Sequence, residues 1–478
     1  MEGVDIMDQQ KNDIAVIGMA VMGQNLALNM ESKGLKVSVY NRTSEKTKRF
    51  VEERAKNKNI QGTYSLEELV NSLKTPRKII LMVKAGKPVD DVIEELLPYL
   101  NKEDIIIDGG NSYYKDTDRR YEELHKKGIR FLGTGISGGE YGALHGPSIM
   151  PGGDESAYEE VKNILEATAA QTEDGPCVTY LGPKSSGHYV KMVHNGIEYA
   201  IMELIAETYD IMRKVLKMTP LDMSEVFKEW NEEHKSYLME ITYKILEWKD
   251  EETGQPIVDV ILDSAKQKGT GKWSVQDALD LNISIPTINA AVNARTLSSI
   301  KDERMRIGEI YETPTEMNLD ESFINSLKDA LYISTIIAYA EGMKLLQVAS
   351  KEYGYNLDLS EVARIWEDGC IIRSAFLKPI QRAFKKDPNL VNLIISDEFK
   401  SDFKKKIPNL REVVSQIKKA GIPIPSLSSA LDYFDGLSSK ELPANLIQAQ
   451  RDYFGAHTYE RRDKEGIFHT EWQDIHNI

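Results

Sequence analysis

An α/β domain followed by a large all-α domain is what this sequence of 478 residues predicts, and three observations carry the prediction. Short runs rich in Ile and Val alternate with helix-type stretches over the first ~185 residues, the pattern of a parallel sheet flanked by helices. A glycine-punctuated turn follows the first of these runs and opens a helix. From about Gly187 onward strand signals fade and long amphipathic stretches take over.

The strand candidates are Asp13–Gly18, Lys36–Tyr40, Lys78–Val83, Ile105–Asp108 and Ile129–Gly133. Ligand-facing loops of such sheets lie at the carboxyl ends of the strands. At the end of the first, Gly18-Met19-Ala20-Val21-Met22-Gly23 opens an amphipathic helix running towards Ser32. In this G-x-A-x-x-G turn Gly18 permits the tight bend, Ala20 is small enough for backbone to approach a pyrophosphate, and Gly23 allows close helix–strand packing. The helix N-terminus offers its free N–H groups to the anion. The strand–turn–helix context makes the first domain Rossmann-type.

The end of the second strand bears on the choice of nucleotide. An NAD reader places Asp or Glu about 20 residues past the glycines, whereas this chain has Tyr40, Asn41, Arg42 and Thr43. No carboxylate stands there to repel a phosphate. Arg42 can meet a 2′-phosphate with its planar guanidinium, and Asn41 and Thr43 can donate hydrogen bonds. NADP is favoured over NAD.

The segment Lys191, Met192, Val193, His194, Asn195, Gly196, Ile197, Glu198, Tyr199 opens the helical region. At about 100° per residue, Lys191, His194, Asn195 and Glu198 share an arc of roughly 100°, while Val190, Val193, Ile197, Ile201 and Leu204 form a separate apolar stripe. A lysine and a glutamate two turns apart can address opposite ends of a small polar molecule in general acid/base chemistry. On spacing alone, an exposed amphipathic helix with solvated charges is the plainer reading.

An internal repeat follows. Leu221, Asp222, Met223, Ser224, Glu225, Val226 and Trp230 recur as Leu357, Asp358, Leu359, Ser360, Glu361, Val362 and Trp366, and Ala206-Glu207 answers Ala340-Glu341. This points to a duplicated helical unit of roughly 135 residues, longer than a solenoid repeat. The second copy, around Asn325 to Ile333, lacks a comparable lysine-His-Asn-Glu arrangement. From about Asn445 the chain turns polar and aromatic, with Gly455 and Gly466 breaking any long helix. The expected architecture is therefore an α/β Rossmann-type N-terminal domain (1–185), a large all-α domain with an internal duplication (186–444) and a C-terminal tail (445–478).

Composition narrows the function. A net charge of −15 argues against a nucleic-acid partner, because phosphate backbones demand a basic surface. No run approaches the ~18 apolar residues of a membrane span, and the polar start lacks a signal peptide, so a cytoplasmic location is expected. Cys177 and Cys370 are the only cysteines; they fit a reducing compartment, and no metal site is expected.

Taken together, these residues resemble the 6-phosphogluconate dehydrogenases of the β-hydroxyacid dehydrogenase superfamily, over nearly the whole chain. The resemblance rests on Gly18–Gly23, Asn41-Arg42-Thr43, Val83-Lys84-Ala85, Asp108-Gly109-Gly110-Asn111, Ser137-Gly138-Gly139-Glu140 and Gly146-Pro147-Ser148 with Met150-Pro151-Gly152-Gly153. It continues through Gly187-His188, Lys191 to Tyr199, Lys268-Gly269-Thr270-Gly271-Lys272-Trp273, Leu297 to Arg304 and the tail around Arg451 to His457.

The resemblance implies oxidation of 6-phosphogluconate at C3 by NADP and loss of C1 as CO2, giving ribulose 5-phosphate and NADPH. It casts Lys191 as general base and Glu198 as the acid that protonates C1. His194 and Asn195 would hold substrate hydroxyls, Asn111 would stand between substrate and nicotinamide, and Ser137, Gly138 and Gly139 would receive the carboxylate end. Tyr199, Lys268 and Arg295 would gather the phosphate. Gly18, Ala20, Val21, Met22, Gly23, Asn41, Arg42, Thr43, Val83, Lys84, Ala85 and Asn111 would hold the cofactor. Arg451 and His457 match tail residues that reach the other subunit's site, so the resemblance also implies a homodimer. Gly182-Pro183-Lys184-Ser185-Ser186 departs from the family pattern, and no longer tail follows Trp472. A non-decarboxylating β-hydroxyacid dehydrogenase and a nucleotide-binding protein without catalysis are the competing readings.

Overall fold

In the computed structural model the first domain opens with β1 (Ile14–Ile17), α1 (Val21–Ser32), β2 (Val37–Tyr40), α2 (Ser44–Glu52), β3 (Ile60–Gly62), α3 (Leu66–Asn71), β4 (Lys78–Leu81) and α4 (Lys87–Leu96). It continues with β5 (Ile105–Asp108), α5 (Tyr114–His125), β6 (Arg130–Ile136), α6 (Gly139–His145), β7 (Ile149–Gly153) and α7 (Glu155–Thr168). The described residues are 11–311, 317, 319 and 322–472; residues 1–10 and 473–478, at the outer ends of the first and third expected domains, lie outside them.

One sheet runs in the order β3-β2-β1-β4-β5-β6-β7. The first six strands are parallel, which is the doubly wound arrangement, and its switch point falls between β1 and β4. The five expected strands are present, with ends shifted by up to a few residues. Two were not expected. β3 is only three residues long, and β7 pairs antiparallel with β6, so the sheet is mixed rather than wholly parallel. Apolar side chains from both faces, including Ile14, Val16, Ile80, Ile105 and Ile107 on one and Ala15, Ile17, Ile79, Leu81 and Ile106 on the other, pack under the helices.

The helical region contains α8 (Ser186–Lys214), α9 (Pro220–His234), α10 (Tyr237–Glu247), α11 (Ile257–Val260), α12 (Thr270–Asp280), α13 (Pro286–Ser299) and α14 (Lys301–Gly308). Then come α15 (Phe323–Glu352), α16 (Leu359–Ile365), α17 (Leu377–Lys386), α18 (Lys400–Lys419) and α19 (Pro425–Ser438). No described helix is long and apolar enough to cross a membrane.

The two copies of the sequence repeat fall on helices of similar order. Long helices α8 and α15 carry Glu207 and Glu341, and each is followed by a side-chain-capped helix, α9 behind the Thr219 capping box and α16 behind Asp358. Trp230 and Trp366 are both buried. The paired glutamates show the correspondence most clearly. Glu207 accepts the backbone N–H groups of Ser426 and Leu427 at the start of α19, and Glu341 accepts those of Thr287 and Ile288 at the start of α13. Both helices begin with proline and leave N–H groups unmet without such a partner. Burial pushes both carboxyls up to about 8, against the pull of the backbone donors. Each copy thus caps a helix belonging to the other.

Residues 432–478 form a second compact unit. It is less irregular than the sequence suggests, with a helix α20 (Ala444–Gly455) and a hairpin of β8 (Tyr459–Glu460) and β9 (Ile467–Phe468). Its centre is Asp452, fully buried, which accepts from the backbone of Thr458 and Thr470, from the indole of Trp472 and from His469.

Candidate active site

The glycine turn sits where the sequence places it, between β1 and α1 at the switch point. Gly18 has φ +106°, and a side chain there would meet the Met82 carbonyl at 2.4 Å, so the turn lies tight against the end of β4. A Cβ on Gly23 would fall 1.9 Å from the Gly18 carbonyl, which keeps the start of α1 close to the strand. Ala20, Val21 and Met22 line the open side, Ala20 and Val21 being exposed. Arg42 and Thr43 are exposed at the end of β2. Asn41 is hydrogen-bonded to the glycine turn. Its Oδ1 accepts the Met19 N–H at 3.0 Å and its Nδ2 donates to the Thr43 carbonyl, so it braces the turn.

The neighbouring loops are tied together by Arg120, which the sequence reading did not single out. Buried on α5, it donates to Asp90, to the Gly86 carbonyl after Val83-Lys84-Ala85, and to Asp108 and Ser112 on either side of Asn111. Asp108 in turn accepts from the Gly110 N–H and the Ser112 hydroxyl. Asn111 itself stays exposed. One guanidinium thereby fixes the spacing of the loops that follow β4 and β5.

The segment around Lys191 is helical, as its spacing predicts, but the reading of a solvated face is overturned. Lys191, His194, Asn195 and Tyr199 are all buried, and Glu198 is mostly enclosed. The cause lies in the strand beside it. A Cβ on Gly135 of β6 would stand 2.4 Å from the Lys191 Cβ, so only glycine lets α8 approach so closely. On the other side, the Trp366 ring meets the His194 ring edge-on, 5.6 Å between centroids.

Within this enclosure Lys191 Nζ donates to Asn195 Oδ1 at 2.8 Å and lies 3.2 Å from His194 Nδ1. His194 Nε2 lies 3.1 Å from the Ser137 hydroxyl, which also takes the Ile371 N–H at 3.4 Å. Gly138, at φ +101°, closes against the Gly369 carbonyl. The loop Gly369–Ile371 is thus part of the site floor, and its only sequence signal is that it follows the second copy's Trp366. Burial lowers Lys191 to about 8, with Glu198 and Cys370 opposing. It drives His194 well below its ordinary value, helped by the neighbouring ammonium, so the imidazole is neutral. It raises Glu198, against the pull of Lys191 and Arg295. A buried amine with a lowered proton affinity and a carboxyl with a raised one, on the same helix, are groups suited to general acid/base chemistry.

Residues 13–182 match the model of the NAD binding domain of 6-phosphogluconate dehydrogenase, and residues 187–472 match that enzyme's C-terminal domain. The chain belongs to the 6-phosphogluconate dehydrogenase family. It is 56% identical over 466 residues to the "6-phosphogluconate dehydrogenase, NADP(+)-dependent, decarboxylating" of Bacillus subtilis, covering 97% of this chain and 99% of that one. It is 53% identical over 463 residues to the decarboxylating 6-phosphogluconate dehydrogenase of Synechococcus elongatus, covering 96% and 98%. The Plasmodium falciparum 6-phosphogluconate dehydrogenase, solved in its apo form and in complex with NADP+ and with 6-phosphogluconate, superposes with TM-score 0.93 at 49% identity, covering 96% of this chain and 100% of that one.

For a 6-phosphogluconate dehydrogenase the phosphate end needs cations. Arg295 on α13 lies flat over the Tyr199 ring, its guanidinium carbon 3.5 Å from the centroid. A Cβ on Gly271 would meet that same ring at 2.7 Å, which places the Lys268–Gly271 turn beside Tyr199. Lys268 is exposed at the head of α12. Glu203, one turn beyond Tyr199, is raised to about 6 by burial, with Arg295 opposing. In the second unit Arg451 and His457 are both exposed, flanking the buried Asp452 in sequence.

Proposed function

We propose that this chain oxidises 6-phosphogluconate at C3 with NADP and releases C1 as CO2, yielding ribulose 5-phosphate and NADPH. The single observation that carries this reading is the buried Lys191, lowered to about 8 and set on one helix face with a raised Glu198. The turn at Gly18, tight against β4 and opening α1, fits a dinucleotide, and exposed Arg42 fits a 2′-phosphate. Bound there, NADP supplies the hydride acceptor.

Lys191, neutral at the outset, takes the C3 hydroxyl proton. As an ammonium it then polarises the C3 oxygen while the carboxylate leaves, stabilising the developing enolate. Glu198 delivers the closing proton to C1. Asn195 and neutral His194 orient Lys191 and present hydrogen bonds to substrate hydroxyls, while Ser137, Gly138 and Gly139 receive the carboxylate end. Asn111 stands between substrate and nicotinamide. Tyr199, Lys268 and Arg295 gather the phosphate, with Arg451 and His457 supplied by the tail of a second subunit in a cytoplasmic homodimer. The division 1–185, 186–444 and 445–478 is retained as cofactor, substrate and partner-reaching parts.

Incubation with 6-phosphogluconate and NADP, following NADPH absorbance and CO2 together, tests the reading. Both products in equal amounts are expected. NADPH without CO2 would place the chain with the non-decarboxylating β-hydroxyacid dehydrogenases, and neither product would overturn catalysis altogether.

A further inference from the structure

Asp277, in the middle of α12, is 2% exposed, and its three side-chain hydrogen bonds all come from tyrosines. Oδ1 accepts from Tyr114 and, at 2.8 Å, from Tyr353; Oδ2 accepts from Tyr189. Burial and the carboxylate raise all three phenols, so each remains a donor. A buried carboxylate with no cation paired to it among the described residues is costly, and a plain core position would hold an apolar residue. The three donors come from segments far apart in the chain. Tyr114 begins α5, three residues past Asn111; Tyr189 lies on α8, two residues before Lys191; Tyr353 closes α15. Asp277 itself belongs to the helix that starts just after Lys268. The neighbouring rings Tyr113 and Trp273, 4.9 Å apart, join the same two segments a second time.

We propose that Asp277 is a positioning residue for the reaction, the point at which the segments carrying Asn111, Lys191 and Lys268 are set in register. The proposal rests on the function given above. Asparagine at 277 cannot accept from all three phenols, since its NH2 faces one of them, and the three segments lose their common anchor. The turn at Gly18 and Arg42 carry no bond to Asp277, so recognition of the adenosine end of NADP is left intact.

The test is steady-state kinetics of the full-length enzyme carrying Asp277→Asn, with Tyr353→Phe as a milder variant that removes one donor of three. Wild-type turnover of 6-phosphogluconate comes first; its absence would sink the functional reading rather than this one. With wild type active, Asp277→Asn is expected to lower kcat/KM for 6-phosphogluconate about ten- to a hundredfold, the scale of a ~1 Å misplacement of reacting groups. The KM for NADP should stay within about twofold, and Tyr353→Phe should show a smaller loss of the same kind at an unchanged Tm. Unchanged kcat/KM in Tyr353→Phe, or equal changes in the KM values for both substrates in either variant, would overturn the proposal.

Discussion

Lys191 and Asn195 are joined along one helix by a hydrogen bond of 2.8 Å from Nζ to Oδ1, inside an enclosure that water does not reach freely. The amide supplies an acceptor without a charge, so it orients the amine and leaves burial to set its proton affinity. Asn195→Asp would place an anion at that point, favour the ammonium and raise Lys191. Since oxidation needs the neutral amine, the acid limb of kcat/KM should move to higher pH, with activity lost near neutrality and partly regained in alkali. An unmoved limb would count against Lys191 as base.

The wild-type pH profile follows from the same two groups. Lys191 titrates at about 8, so kcat/KM should fall as the pH drops below that value and the amine gains its proton. Glu198 is raised by burial, and its protonated form is the one that acts, so turnover should also fall as the pH climbs and Glu198 ionises. A bell-shaped profile results. Glu198→Ala should slow steady-state turnover about 10²- to 10⁴-fold, the usual contribution of a general acid. Near-normal turnover in that variant would remove Glu198 from the mechanism.

Arg42→Ala bears on the cofactor. A lost charge-assisted contact costs about 1.5–3 kcal/mol, so the KM for NADP should rise at least tenfold while that for NAD stays nearly level. Equal losses for the two nucleotides would show that Arg42 does not read the 2′-phosphate.

Glu341→Ala leaves two buried N–H groups at the head of α13 without acceptors, a cost of about 1–3 kcal/mol in denaturant unfolding. Glu207→Ala should cost a similar amount at α19. The wild type carries a pH signature as well. A carboxyl raised in the folded chain to about 8 contributes stability that is full below its unfolded value and is lost as the pH rises through 8. The alanine variants should therefore show a flatter decline of stability between mild acid and mild alkali; a decline as steep as that of the wild type would disprove the assignment.

A mixture of Lys191→Ala and Arg451→Ala proteins, each nearly inactive, tests the shared site. If Arg451 serves the partner's site, a mixed dimer contains one site with both residues intact, and activity returns on mixing and re-association. If each tail serves its own subunit, every site lacks one residue and the mixture stays inactive.

The parallel strands were legible because Ile and Val runs ending in glycine or asparagine have few other uses. β7 was not, since Pro151, Gly152 and Gly153 carry little strand propensity and depend on pairing with β6. The face of Lys191, His194, Asn195 and Glu198 was legible as an arrangement but not as an interior, because what buries it, Gly135 and Trp366, lies far away in sequence. Asp277 was illegible for the same reason: its tyrosines lie 163, 88 and 76 residues away. Family resemblance supplied roles that spacing could not, and the structure adds that Asn41, matched to a cofactor motif, also braces the glycine turn.

The crossed glutamates carry a consequence for how the helical domain is built. Glu207 lies in the first copy and closes a helix of the second, while Glu341 lies in the second and closes a helix of the first. A solitary copy would hold an acid with no helix to close and a helix with no acid to close it. Two such chains would satisfy each other reciprocally, as a symmetric pair does. The helical domain therefore has the reciprocal construction of a symmetric pair, carried within one polypeptide.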